Sequence, residues 1–226
     1  MSLFRGFLTN ISWNVFGKIF VQILLLAVSI LITRYLGKDR LGLYATILVI
    51  PAFIRLLNGF GLETVVNKKL PELQVRDPSL GQGRYVIQRL LALRLTSSLV
   101  ACLFLYLFLP FYFVLIHMPE LLIYRSAIIA YFVVITLNSL LSTLFMTYLK
   151  YKVTSIVESV SVALNVGFLA AFIYLDWGIK GVLYAYILSA AITIGIYGCL
   201  SAPYVAGETR KSEWGDARRL AWIAYI

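Results

Sequence analysis

Apolar residues fill six long stretches of the chain, approximately residues 13–33, 41–60, 90–116, 121–148, 153–175 and 181–201, and polar residues gather between them. Each stretch reaches or exceeds the about 20 mostly apolar residues with which a helix crosses the hydrocarbon core of a bilayer. Lipid offers no partner to backbone N–H and C=O groups, so only helices and closed barrels can cross it. Runs such as residues 23–32 show no alternation of apolar and polar positions, which argues against barrel strands and predicts helices. The fold class that follows is all-α: a polytopic membrane bundle of six transmembrane helices, occupying residues 1–206.

What lies between and beyond the spans refines this. Residues 61–89, with Pro71, Pro78, Gly81 and Gly83, read as the one sizeable loop, entered through a helix end at Gly59-Phe60-Gly61. A polar segment, 207–219, is followed by residues 220–226, which are all apolar. Together 207–226 read as a cytoplasmic segment and the start of a seventh helix cut short, or else as a short amphipathic tail on the membrane surface.

Composition fits a membrane protein and excludes a soluble globule: 61% of residues are hydrophobic and 13% charged, and the mean hydropathy is +0.89. A net charge of +10 could point to nucleic acid, but the cations sit in short loops between apolar spans, and no helix-turn-helix, zinc or RNA-binding signature accompanies them. The expected partner is membrane lipid and not nucleic acid. Cys102 and Cys199 fall inside spans and suggest neither a disulfide framework nor a metal cluster. Ala27-Val28-Ser29 mimics a signal cleavage site, but the apolar run continues through Ile30-Leu31-Ile32.

Charge also orients the bundle. Arg5, Lys18, Lys68, Lys69, Arg76, Arg84, Arg89, Arg94, Lys150, Lys152, Arg210, Lys211, Arg218 and Arg219 fall on one side, while Arg34, Lys38, Arg40, Arg125 and Lys180 fall on the other. The positive-inside rule assigns the richer side, with both termini, to the cytoplasm. Aromatic residues near the span ends (Trp13, Tyr35, Tyr44, Tyr148, Tyr151 and Trp177) read as interface anchors.

Inside the spans the polar residues line up. At 100° per residue, Asn14, Lys18, Gln22, Ser29 and Thr33 share a face of the first helix. On the second, Tyr44, Pro51, Arg55, Asn58 and Gly59 do so; on the fourth, Tyr131, Asn138 and Ser142; on the fifth, Thr154, Glu158, Ser161 and Asn165. An ionisable group at the centre of a membrane helix costs about 2.5–3.5 kcal/mol on insertion scales, so such stripes face one another or a wet cavity. Lys18, Arg55, Arg94 and Glu158 all lie toward the cytoplasmic ends of their helices, where they could ring a vestibule. For Arg94, snorkelling to the headgroups is the favoured alternative, because Gln88 and Arg89 are already interfacial. Glu158, the acid well inside a span, could pair with Lys18 or Arg55, take part in ion coupling, or lie near the surface beside Lys152. Gly181, Ala185, Ser189 and Thr193 form a small-residue ridge on the sixth helix, which reads as packing.

Catalytic chemistry is hard to find. His117 stands in a short outer loop without a Cys or Glu partner that could make a metal site, and Asp39, Asp77, Asp176 and Asp216 are scattered singly over loops. There is no P-loop. An enzyme, a metal and a cofactor are therefore not expected.

Trp13-Asn14-Val15-Phe16-Gly17 opens the first span, Thr33-Arg34-Tyr35-Leu36-Gly37 closes it, and Leu41-Gly42-Leu43-Tyr44-Ala45 follows. Gly59-Phe60-Gly61-Leu62-Glu63 and Asn67-Lys68-Lys69-Leu70-Pro71-Glu72 come next, and Gly181-Val182-Leu183-Tyr184-Ala185 echoes residues 42–45. This pattern resembles the N-terminal half of bacterial Wzx-type flippases, polysaccharide biosynthesis proteins of the MATE-like multidrug/oligosaccharidyl-lipid/polysaccharide superfamily. The resemblance implies one six-helix lobe of a two-lobed transporter in the bacterial inner membrane, its second lobe missing or supplied by a homodimer partner. It implies a lipid-linked oligosaccharide diphosphate as substrate, moved from the cytoplasmic to the outer leaflet. Lys18 and Arg55 would then receive the diphosphate, Gln22, Asn138 and Asn165 would hydrogen-bond sugar hydroxyls, and Glu158 would complete the set. A multidrug exporter of the same superfamily and a membrane enzyme of lipid-linked sugar metabolism are the alternatives.

Overall fold

The computed structural model describes residues 2–58, 62–76, 81–147 and 151–205, with side chains from Val15 onward except at 56–58, 62–63, 74, 151 and 203–205. The expected segment at 207–226, the stripe positions Asn14, Asn58 and Gly59, and the anchors Trp13, Tyr148 and Tyr151 lie outside the described side chains.

The described chain is helical: α1 (Ser2–Asn58), α2 (Leu62–Arg76), α3 (Gly81–Leu115), a 3₁₀ turn (Pro119–Tyr124), α4 (Arg125–Thr147), α5 (Tyr151–Tyr174) and α6 (Gly178–Val205). Five of these helices hold a segment long and apolar enough to cross a membrane, and the segment in α1, Val15–Arg55, is 41 residues long. That is about twice one crossing. Gly37 divides it, with φ 68° and ψ −177°, a backbone region essentially reserved for glycine.

The contacts show that the break folds α1 back on itself. Arm 1 (residues 2–36) meets α5 at Gly17 against Ser155, and Tyr35 bonds Asp176 just beyond α5, so the arm and α5 run in the same direction. Arm 2 (residues 38–58) begins with Arg40 beside Gly178 and continues with Tyr44 bonded to Tyr186, so it runs with α6. Because α5 and α6 are antiparallel neighbours joined by a tight turn, the two arms are antiparallel as well. Six crossings result, as the hydropathy pattern requires.

One expectation is corrected. Residues 61–89 are not a loop: α2 lies within them, and α3 begins at Gly81, well before residue 90. Val65, Val66, Leu70 and Leu73 of α2 are buried against Val86, Ile87 and Leu90 of α3 and Leu140 and Leu144 of α4. Helix period, not hydropathy, sets this segment: one stripe is apolar, and the other carries Asn67, Lys68 and Arg76 outward. Pro71 sits inside α2 without ending it.

A larger apolar core lies toward the Gly37 end. There Val28, Ile32, Leu36, Ile47 and Ile50 of α1 meet Leu105, Leu109 and Phe113 of α3, Ile128 and Phe132 of α4, Leu169 of α5 and Val182 and Leu183 of α6. Large apolar side chains such as Phe16, Ile23, Leu26, Leu99, Val100, Leu107 and Phe111 stay exposed on the outside of the bundle. A belt of that kind on an otherwise apolar bundle is what lipid covers.

Candidate functional site

Between the two apolar cores the buried faces turn polar. On α3 the buried series Val86, Ile87 and Leu90 gives way to Arg94 and Ser98 before Leu105, Leu109 and Phe113 resume. On α4, Thr136 separates Ile128 and Phe132 from Leu140 and Leu144. Ser189 and Thr193 do the same on α6, and Asn165 on α5. These groups form a polar waist inside the bundle, and burial makes each of them want a hydrogen bond. Asn165 Nδ2 donates to Ser189 Oγ at 3.4 Å, Ser189 Oγ donates to the Tyr186 carbonyl at 3.1 Å, and Thr193 Oγ1 donates to the Ser189 carbonyl at 2.7 Å. Asn165 Oδ1, Asn138 Oδ1 and Thr136 Oγ1 are buried with no hydrogen-bond partner.

The candidate residues from the sequence do not form one ring. Arg55, on arm 2, is half-buried, and its guanidinium lies within electrostatic reach of the Tyr131 hydroxyl on α4. Tyr131 stacks edge-on against Tyr186 of α6, ring centroids 6.1 Å apart, and Tyr186 shares a hydrogen bond with Tyr44. Arg55 thus stands within electrostatic reach of a cluster of three tyrosines where arm 2, α4 and α6 meet. Glu158 is half-buried and accepts a hydrogen bond from Ser142 Oγ of α4 at 3.0 Å. Asn138 is half-buried on α4, and Asn165 is buried between α5 and α6.

Lys18 and Gln22 lie elsewhere. They are exposed on the flank of arm 1, beside the stripe Gly17, Val21, Leu24, Val28 and Ile32 that packs inward. Ser29 and Thr33 continue the exposed polar flank, so this face of arm 1 is polar in a helix otherwise suited to lipid.

Two expectations change at this level. Arg94 does not reach for the headgroups: it is 1% exposed and is the largest of the fully buried side chains. Its place in the α3 series with Leu90 and Ser98 carried that signal, because those positions share one helix face. Tyr44 is not an interface anchor either, being buried with its hydroxyl turned to Tyr186. Tyr35 does stand at the Gly37 end, but its hydroxyl is engaged with protein, accepting from the Gly178 N–H at 2.8 Å and donating to Asp176 Oδ1 at 2.9 Å. The ridge Gly181, Ala185, Ser189 and Thr193 is buried and serves packing, as expected. A Cβ at Gly181 would stand 2.8 Å from Phe172 Cβ.

An open apolar groove on α5, lined by Val160, Ala163, Leu164, Gly167 and Phe168, includes none of the candidate residues. Among the described residues, no three His, Cys, Asp or Glu side chains group as a metal site would need.

The arrangement offers an arginine, unpaired amide oxygens and hydroxyls within an apolar shell. Taken singly, the arginine can make charge-assisted hydrogen bonds to an anion, and the amide oxygens can accept neutral ones from hydroxyls. No curated protein and no solved structure matches the chain. The model of one family, described as polysaccharide biosynthesis protein, matches residues 7–212. The chain is a membrane-spanning member of the polysaccharide biosynthesis protein family.

Proposed function

We propose that the chain is a lobe of a flippase that moves an undecaprenyl-diphosphate-linked oligosaccharide across the bacterial inner membrane, with Arg55 receiving the diphosphate. The observation that carries this reading is Arg55 itself, half-buried on arm 2 with the Tyr131 hydroxyl of α4 within electrostatic reach. A cation held in lipid costs several kcal/mol and is kept where it meets an anion or a polar pathway. Arginine pairs bidentately with phosphate oxygens, which suits a diphosphate better than a point charge would. The unpaired oxygens of Asn138 and Asn165 accept from sugar hydroxyls. Lys18 and Gln22, on the exposed flank of arm 1, extend the polar path toward a second lobe or a second copy of the chain. The α2 end, with Lys68, Arg76, Arg84 and Arg89, faces the cytoplasm and its anionic headgroups.

Arg55→Ala tests the assignment in cells whose surface polysaccharide depends on this chain. The variant inserts normally and fails to restore polysaccharide display. Full restoration by Arg55→Ala would remove Arg55 from the substrate path.

A further inference from the structure

Pro110 lies inside α3 and brings no backbone N–H, so the carbonyl four residues before it, that of Tyr106, loses its intrahelical donor. The proline ring also crowds that carbonyl and turns it away from the helix axis. Around it α3 is built for lipid: Leu103, Tyr106, Leu107 and Phe111 are all more than half exposed. The hydrocarbon holds no water to bond the freed group, and leaving it unmet is costly. The end of α3 has no such gap, because the turn that follows closes its carbonyls. There the amides of Ile116, His117 and Met118 donate to the carbonyls of Tyr112, Val114 and Phe113 at 3.1, 3.1 and 2.9 Å.

Arg125, the first residue of α4, meets the freed group. Its Nη2 donates to the Tyr106 carbonyl, and its guanidinium carbon stands 3.3 Å from the centre of the Tyr106 ring. Its Nε is buried without a hydrogen-bond partner. The half-buried side chain is therefore held by one carbonyl and one ring, both of a single residue 19 positions earlier. A charged donor makes that bond stronger than the amide bond it stands in for. Beyond the gap, the last turn of α3 and the 3₁₀ turn form a unit of their own. Leu121 N–H donates to the Met118 carbonyl at 3.1 Å, and Phe113 and Leu121 are fully buried.

We propose that Arg125 is the catch of a joint at Pro110. Engaged, its Nη2 replaces the amide that proline lacks and holds the last part of α3 in line. Released, the long side chain snorkels to nearby headgroups, so no charge is stranded in lipid, and α3 bends at Pro110 with the 3₁₀ turn moving as one piece. The joint involves none of the candidate substrate residues and does not depend on the flippase reading.

The test is amide hydrogen exchange, read by mass spectrometry on peptides covering residues 107–118, with the protein in its native assembly in lipid nanodiscs. Arg125→Met exchanges there about tenfold faster than wild type, while peptides from α5 and α6 exchange unchanged. Pro110→Ala returns the missing N–H, so adding Arg125→Met to it changes exchange by about twofold or less. Tyr106→Leu keeps the carbonyl and loses the ring, and its effect stays well below that of Arg125→Met. Exchange in Arg125→Met equal to wild type overturns the proposal, and so does an undiminished effect in the Pro110→Ala background. An effect of Tyr106→Leu as large as that of Arg125→Met assigns the hold to the ring and overturns it too. Should Arg125→Met fail to fold, recovery of folded protein on adding Pro110→Ala supports the catch, and equal failure of the double variant refutes it.

Discussion

Tyr35 donates its phenolic proton to Asp176 across 141 positions of sequence, at 2.9 Å, while the same oxygen accepts the Gly178 N–H at 2.8 Å. One hydroxyl thereby joins the last turn of arm 1 to the turn between α5 and α6, next to the Gly37 fold. Asp176 holds φ 51° and Gly178 φ 59°, so the turn it secures is already conformationally demanding.

Tyr35→Phe removes both bonds and keeps the ring. At about 0.5–1.5 kcal/mol per bond the loss is about 1–3 kcal/mol, read as a lower unfolding midpoint in detergent. A midpoint unchanged from wild type would show that the two bonds do not hold the turn.

Gly17 and Ser155 bring arm 1 and α5 into backbone-level contact. A Cβ at Gly17 would stand 1.5 Å from Ser155 Oγ and 2.8 Å from its Cβ. Gly17→Ala therefore forces the helices apart or the serine aside, at about 1–3 kcal/mol, and Gly17→Ala combined with Ser155→Gly recovers most of that. Thermal unfolding of the two single variants and the double variant measures the coupling. Simple additivity would mean that the two residues do not touch.

Arg94 separates bulk from charge as the reason for its burial. Arg94→Ala leaves a cavity in the waist between the two apolar cores and costs about 2–5 kcal/mol. Arg94→Met restores most of the volume without the charge, and apolar replacements of buried ionic groups are often neutral or better. Stability in the order wild type, Met, Ala indicates packing as the main role. Met falling as low as Ala indicates that the guanidinium itself is required.

The six crossings were legible because hydropathy alone reports them, and the Gly37 break coincides with the polar run between the first two. The family resemblance rested largely on residues 10–72, and the family's reach over residues 7–212 agrees with it. Less visible was α2, because Pro71 and its charged residues read as loop even though Val65, Val66, Leu70 and Leu73 keep helical spacing. Arg94 and Tyr44 show a second limit. Position in the sequence gives depth along a helix, but facing is set by the neighbours, and both residues turned inward where an interfacial role was expected. The polar stripes named residues that do meet partners on other helices, such as Ser142 with Glu158 and Asn165 with Ser189, but not which helix each would meet.

The central claim, transport of a lipid-linked diphosphate sugar through Arg55, is tested most directly in proteoliposomes. The purified flippase, this chain together with its second lobe or second copy, is reconstituted with an undecaprenyl-diphosphate oligosaccharide carrying a fluorophore that a membrane-impermeant reagent quenches. Protection of the fluorophore then reports its leaflet. Wild-type vesicles exchange the substrate between leaflets, and Arg55→Ala vesicles, carrying equal amounts of folded protein, retain it on one side. Equal exchange by the two would contradict the account.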